Sequence, residues 1–177
     1  MKKSFGLAVL IIALMFGCAS SGGSKPDNEK ATKSGSGKGS TILVMIDRGI
    51  EKSFDGGQVS SRNQIGEWME LDLPAVLHKK GFNARIISKR SEYSHAPGVY
   101  LLTVKITDYN PGNKAARMMV GYGAGAASMK THFELYSQGS SPILSDDTGV
   151  GSGRDWRNVV RKSNELMTKS ISEKLGE

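Results

Sequence analysis

The sequence holds a single cysteine, Cys18, among 177 residues. One thiol closes no internal disulfide and cannot build a zinc site from several cysteines. The three histidines, His78, His95 and His132, stand far apart, with no HExxH pair and no acidic neighbour in sequence. They read as surface or hydrogen-bonded core residues rather than metal ligands. A Gly-x-Ser-x-Gly elbow is also missing, so no catalytic residue can be named from a motif. The longest apolar run, Phe5 to Phe16, has twelve residues. As a helix it would span roughly 18 Å, short of the roughly 30 Å of a bilayer core, which excludes a polytopic membrane protein.

That run is nevertheless informative, because Lys2 and Lys3 precede it and Gly17, Cys18, Ala19 and Ser20 follow it. A basic start, a short apolar stretch and small residues at its end form a secretory leader. Met15-Phe16-Gly17-Cys18 resembles the bacterial lipobox, whose cysteine is acylated and becomes the first residue of the mature chain. Met15 stands where Leu, Val or Ile is usual. Residues 1–17 are therefore expected to be a lipoprotein signal peptide, with Cys18 carrying the lipid. Ala19 is unlike a retention signal, which by resemblance points to the periplasmic face of the outer membrane in a Gram-negative host.

Residues 18–40 are rich in Ser, Gly and Lys and show no hydrophobic period, as a flexible tether does. The formal charge of +7 is largely a property of these two segments. The leader removes Lys2 and Lys3, and in the tether Lys25, Lys30, Lys33 and Lys38 outnumber Asp27 and Glu29 by two, so residues 41–177 carry +3. That modest charge, on an exported chain, gives no reason to expect nucleic acid as a partner.

Residues 41–177 are long enough for one core. Ile42 to Ile46 reads as a buried strand ending at Asp47. After Gly56 and Gly57, Ser60 or Ser61 is the expected cap of a helix whose stripe is Ile65, Trp68, Met69, Leu73, Val76 and Leu77, with a kink or restart at Pro74. Strands are expected over Phe82–Lys89 and Val99–Ile106, a turn at Asn110-Pro111-Gly112-Asn113, and a long alternating strand within Ala116–Tyr136. A short strand near Ile143 and Leu144, a Gly-rich loop and a final helix capped by Asp155 complete the chain. Trp156, Val159, Val160, Ser163, Met167, Ile171 and Leu175 form that helix's apolar side. The order βαββββα predicts a single α+β domain, a mixed or mostly antiparallel sheet of about five strands with both helices packed on it.

Three stretches imitate ligand motifs. Gly121-Tyr122-Gly123-Ala124-Gly125-Ala126 fits the dinucleotide fingerprint in letters, but strand-period residues follow where a helix must open. Gly35 to Thr41 resembles a phosphate loop, yet Gly39 stands where Ser or Thr must follow the lysine. Asp146 and Asp147 with Gly149, Gly151 and Gly153 hint at calcium, but the spacing matches no full calcium loop and Asp155 reads as a helix cap. No metal and no cofactor is expected. Gly121, Gly123 and Gly125 are better explained by a bulge or by close approach of a packed element.

Asp108-Tyr109-Asn110-Pro111-Gly112-Asn113, then Ala116-Arg117, then Val120 to Gly125 leading into the alternating strand, resembles an uncharacterised family of bacterial envelope lipoproteins defined only as a domain of unknown function. Its mark is an arginine followed by Gly-Phe/Tyr-Gly-Ala-Gly, here Arg117, Gly121, Tyr122, Gly123, Ala124 and Gly125. The resemblance implies a small lipoprotein domain and brings no catalytic residues. The expected function is a lipid-anchored, non-enzymatic binding or assembly module. Its partners are the membrane, through Cys18, and another envelope protein, met by the edge of the strand in 120–136 if that edge is uncovered. The alternative is a small-ligand carrier or an enzyme with a pocket walled by the Gly-rich strand.

Overall fold

The computed structural model describes residues 39–113, 125–153 and 155–176. Among them the elements are β1 (Thr41–Asp47), α1 (Gly56–Lys79), β2 (Asn83–Ile86), β3 (Val99–Asn110), β4 (Ala127–Tyr136), β5 (Pro142–Ser152) and α2 (Trp156–Leu175). The five strands form one mixed sheet in the order β2-β1-β3-β4-β5. β1 is parallel to both β2 and β3, while β3, β4 and β5 pair antiparallel. This is the α+β arrangement that the order of elements predicts.

Strand alternation divides the sheet into two faces. Ile42, Val44, Leu102, Val104, Ile106, Met129, Phe133 and Leu135 point to the helix side and pack with Ile65, Met69, Leu73 and Leu77 of α1 and Val159, Val160, Met167 and Ile171 of α2. The helices also pack on each other. On the opposite face, Leu43, Leu101 and Tyr136 are covered at one end by Ile87 and Tyr93 from the β2–β3 connection. Three hydroxyls lie beneath α2: Thr148 Oγ1 is 2.6 Å from Thr131 Oγ1 and 2.7 Å from Ser163 Oγ, so no member is buried without a partner.

Several boundaries differ from expectation for local reasons. α1 starts at Gly56, not after Ser60 or Ser61. Asp55 Oδ1 accepts from Gln58 N at 2.8 Å and Gln58 Oε1 accepts from Asp55 N at 2.9 Å, a capping box that holds two glycines in the first turn. The helix passes through Pro74 without restarting, its burial on both sides outweighing one lost backbone bond. β2 is shorter than the expected strand of 82–89.

β5 runs over eleven residues where a short strand and a Gly-rich loop are expected. Its glycines weaken the strand signal, but β4 pairs with it from Ala127↔Ser152 to Leu135↔Leu144. β4 is therefore interior, flanked by β3 and β5, and offers no free edge over Ala127–Tyr136.

The two buried phenols on the open face make stability sensitive to alkali. Tyr93 donates to the Ser137 carbonyl, and burial pushes its pKa above the ordinary value. Tyr136 donates to Glu134 Oε2 at 2.7 Å, and that bond, then burial, raises its pKa too. The folded state holds both protons more tightly than the unfolded chain. Stability is thus expected to be level below the ordinary tyrosine pKa of about 10 and to fall as pH rises beyond it. Melting curves between about pH 8 and pH 11 should show this decline, and Tyr93→Phe should flatten it.

Candidate functional site

β1 ends at Asp47 beside Lys105 while β3 runs on to Asn110, and the β1–α1 loop lies against this continuing part of β3. Arg48 is held against α1 by Asn63 Oδ1 and Glu70 Oε1, both at 2.9 Å. Gly49 then takes a φ of +60°, and its N–H donates to Asp47 Oδ1 at 2.9 Å. A Cβ at this position would come to 2.0 Å from the Ile106 carbonyl oxygen, so only glycine lets the loop lie this close to β3. The β3–β4 register shifts between Ile106 and Asp108, and this irregularity redirects the end of β3.

Arg62, two turns into α1, reaches the same carbonyl: its Nη1 donates to Ile106 O at 2.9 Å. The residue is 7% exposed, an uncommon place for an arginine. Its guanidinium lies 5.5 Å from the centre of the Phe54 ring and forms no ion pair among the described residues. Burial lowers its pKa, against the fields of Asp108, Glu51 and Asp47, which raise it. Burial also raises the Tyr109 phenol, with Asp155 acting in the same sense.

Arg62 lines a cleft of about 530 Å³ between the start of α1 and the end of β3. Phe54 and Tyr109 supply aromatic surface, and Glu51 and Asp108 are exposed at its rim. The size is that of a small-molecule site, and donors, acceptors and rings converge on it. Sequence reasoning did not single out Arg62. The available signal was its spacing, since Arg62, Ile65, Met69 and Leu73 share one helix stripe.

Of the residues singled out from sequence, Cys18, Arg117, Gly121, Tyr122, Gly123 and Ala124 lie outside the described residues. Gly125 is described. It has a φ of +66°, accepts from Asn113 N at 2.9 Å, and would bring a Cβ to 2.4 Å from the Asn113 carbonyl oxygen. His78 bonds the backbone of Ala84, His95 stacks on Tyr93, and His132 Nδ1 lies 3.0 Å from Asp147 Oδ1. The three are not brought together. Asp146 and Asp147, being successive strand residues, face opposite ways rather than converging.

Residues 58–154, more than half of the chain, match the family model described as "Domain of unknown function (DUF4410)". The chain belongs to this family. The matched region includes Arg62 and all of β3, β4 and β5. No curated protein matches the sequence. Among solved structures, the fold is similar to a PelC dodecamer from Paraburkholderia phytofirmans, with a TM-score of 0.50 and 14% identity over 73% of this chain and 86% of that one. A point variant of the same PelC, also a dodecamer, gives 0.51 and 14% over 78% and 90%. A hypothetical protein from Chlamydia trachomatis gives 0.45 and 8% over 78% and 98%. At these identities the likeness concerns the fold alone.

Proposed function

We propose that the chain is a lipid-anchored envelope protein whose folded domain acts by binding and assembly rather than by catalysis, a second copy of itself being the first partner. The observation that carries the assembly part is β5, an eleven-residue strand that pairs only with β4 among the described residues and forms one border of the sheet. Such an edge presents main-chain donors and acceptors to an incoming strand. Similarity in fold to PelC, which is a dodecamer, supports the same reading. The mature chain is tethered through acylated Cys18, on the periplasmic face of the outer membrane if the host is Gram-negative. No described helix is long and apolar enough to cross a membrane.

Two measurements test this. Wild-type protein is expected to sediment with membranes and to carry acyl mass on Cys18, whereas Cys18→Ser should lose both; a bare cysteine in the wild-type protein overturns the tether. Light scattering of the detergent-extracted full chain should give an oligomer at micromolar concentration, and a monomer there overturns self-assembly.

The cleft around Arg62 favours a second reading, that of a small-ligand carrier. Its described walls come from α1, the loop before it and the end of β3, while Gly121 to Ala124 of the Gly-rich segment lie outside the described residues.

A further inference from the structure

We infer that the Arg62 cleft binds a small zwitterion, an amino acid or short peptide whose carboxylate meets the Arg62 guanidinium and whose ammonium sits between Glu51 and Asp108. This rests on the carrier reading and adds the class of ligand. The floor provides a planar cation with five N–H donors, of which one hydrogen bond, to Ile106 O, is formed among the described residues. A carboxylate matches the fork of the remaining donors, and the shelter of a residue only 7% exposed strengthens that contact over its value in water.

The rim has the opposite sign. Glu51 and Asp108 are exposed carboxylates lining the same cleft, and both lie near enough to act on the Arg62 charge without pairing with it. Asp55, the third lining carboxylate, is already committed to the helix cap. A simple anion would therefore meet repulsion at the entrance, and a simple cation would leave the arginine donors unmet and face its charge. A molecule with both charges satisfies floor and rim together. Phe54, which lies against the guanidinium, and Tyr109 leave room beside the charged groups for an apolar side chain or peptide unit. About 530 Å³ is ample for a dipeptide.

Calorimetry on the detergent-extracted full chain, with defined probes, tests the inference. L-alanine or L-alanyl-L-alanine should bind at least tenfold more tightly than acetate or methylammonium. Changing Glu51→Gln and Asp108→Asn together alters exposed residues and should preserve folding. It should weaken dialanine at least tenfold while leaving acetate equal or stronger. Arg62→Gln should abolish binding of both, with melting checked because the Ile106 carbonyl loses its donor. Acetate binding as tightly as dialanine, or a double variant that binds dialanine normally, overturns the zwitterion while the carrier reading survives. Phosphoethanolamine binding more tightly than either amino-acid probe assigns the cleft to a phosphate-bearing headgroup and also overturns it. Absence of binding by every probe overturns the zwitterion and removes the cleft as support for a carrier.

Discussion

Gly49→Ala is expected to destabilise the domain by about 2–5 kcal/mol, through a strained left-handed backbone and a clash that nothing nearby can relieve. The new Cβ would lie 2.0 Å from the Ile106 carbonyl oxygen, which is backbone and is already held by Arg62. Either the loop lifts off β3 or the Arg62 bond breaks, and each opens the cleft floor. Gly98 supplies the control. Its φ is +74°, yet a Cβ there would meet nothing within 4 Å. Gly98→Ala should therefore cost only the conformational part, about 1 kcal/mol. Urea unfolding of the two variants separates strain from collision, and equal losses would refute the close approach at Gly49.

The second large effect concerns the contact between the helices. Asp72 on α1 is 6% exposed and accepts from Arg161 Nε at 2.7 Å, from Arg161 Nη2 and from Asn164 Nδ2 at 2.9 Å. The pair is asymmetric: the Asp72 side chain is 4% exposed and that of Arg161 is 45%. Removing Asp72 leaves a cation that water can reach and a buried amide short of a partner. Removing Arg161 leaves a buried carboxylate held by one amide. Arg161→Ala should thus cost about 3 kcal/mol and Asp72→Ala about 2 kcal/mol, although Arg161 is the more exposed residue. The same hydrogen bond raises the Arg161 pKa. A double-mutant cycle gives the coupling directly, and a larger loss for Asp72→Ala would sink the argument from exposure.

The difference between these two sites and the rest of the fold explains what sequence could reveal. Apolar periodicity suffices where burial is apolar: β1, the stripe from Ile65 to Leu77 and the α2 stripe with its Asp155 cap follow from it, and with them the order βαββββα. It fails where polar residues are buried. Asn164, Thr168 and Ser172 recur every fourth residue on α2 and look like a solvated row, yet they are buried, and of the three side chains only Asn164, through Nδ2, bonds α1. Asp72 likewise reads as surface until α2 is seen to answer it. Beyond the short strand expected near Ile143 and Leu144, the rest of β5 stayed hidden because its strand character comes from β4 rather than from its own Gly and Asp residues. Arg62 combines both difficulties, since its hydrogen-bond partner among the described residues is a carbonyl on a strand 44 residues away, at the point where the β3 register shifts.

The end of α1 bears on what kind of assembly the sheet permits. Asn83 and Ile87 donate to Ser40 and Val44 at 2.8 Å, so Ala84 between them turns its backbone outward. There His78 Nε2 lies 2.8 Å from the Ala84 oxygen and 3.1 Å from its nitrogen, occupying the place of a neighbouring strand in either tautomer. One border of the sheet is thus stoppered, while over residues 142–151 the other, β5, pairs with β4 alone among the described residues. Two copies joined β5 to β5 would use both β5 borders at once, giving a ten-strand sheet with a stopper at each end. Such a pair is closed and two-fold, and it cannot polymerise into a fibre by adding further strands. Any larger ring must then be built from surfaces other than the sheet borders. If copies do pair in the proposed way, loss of the imidazole would uncover the β2 border and let such a pair propagate.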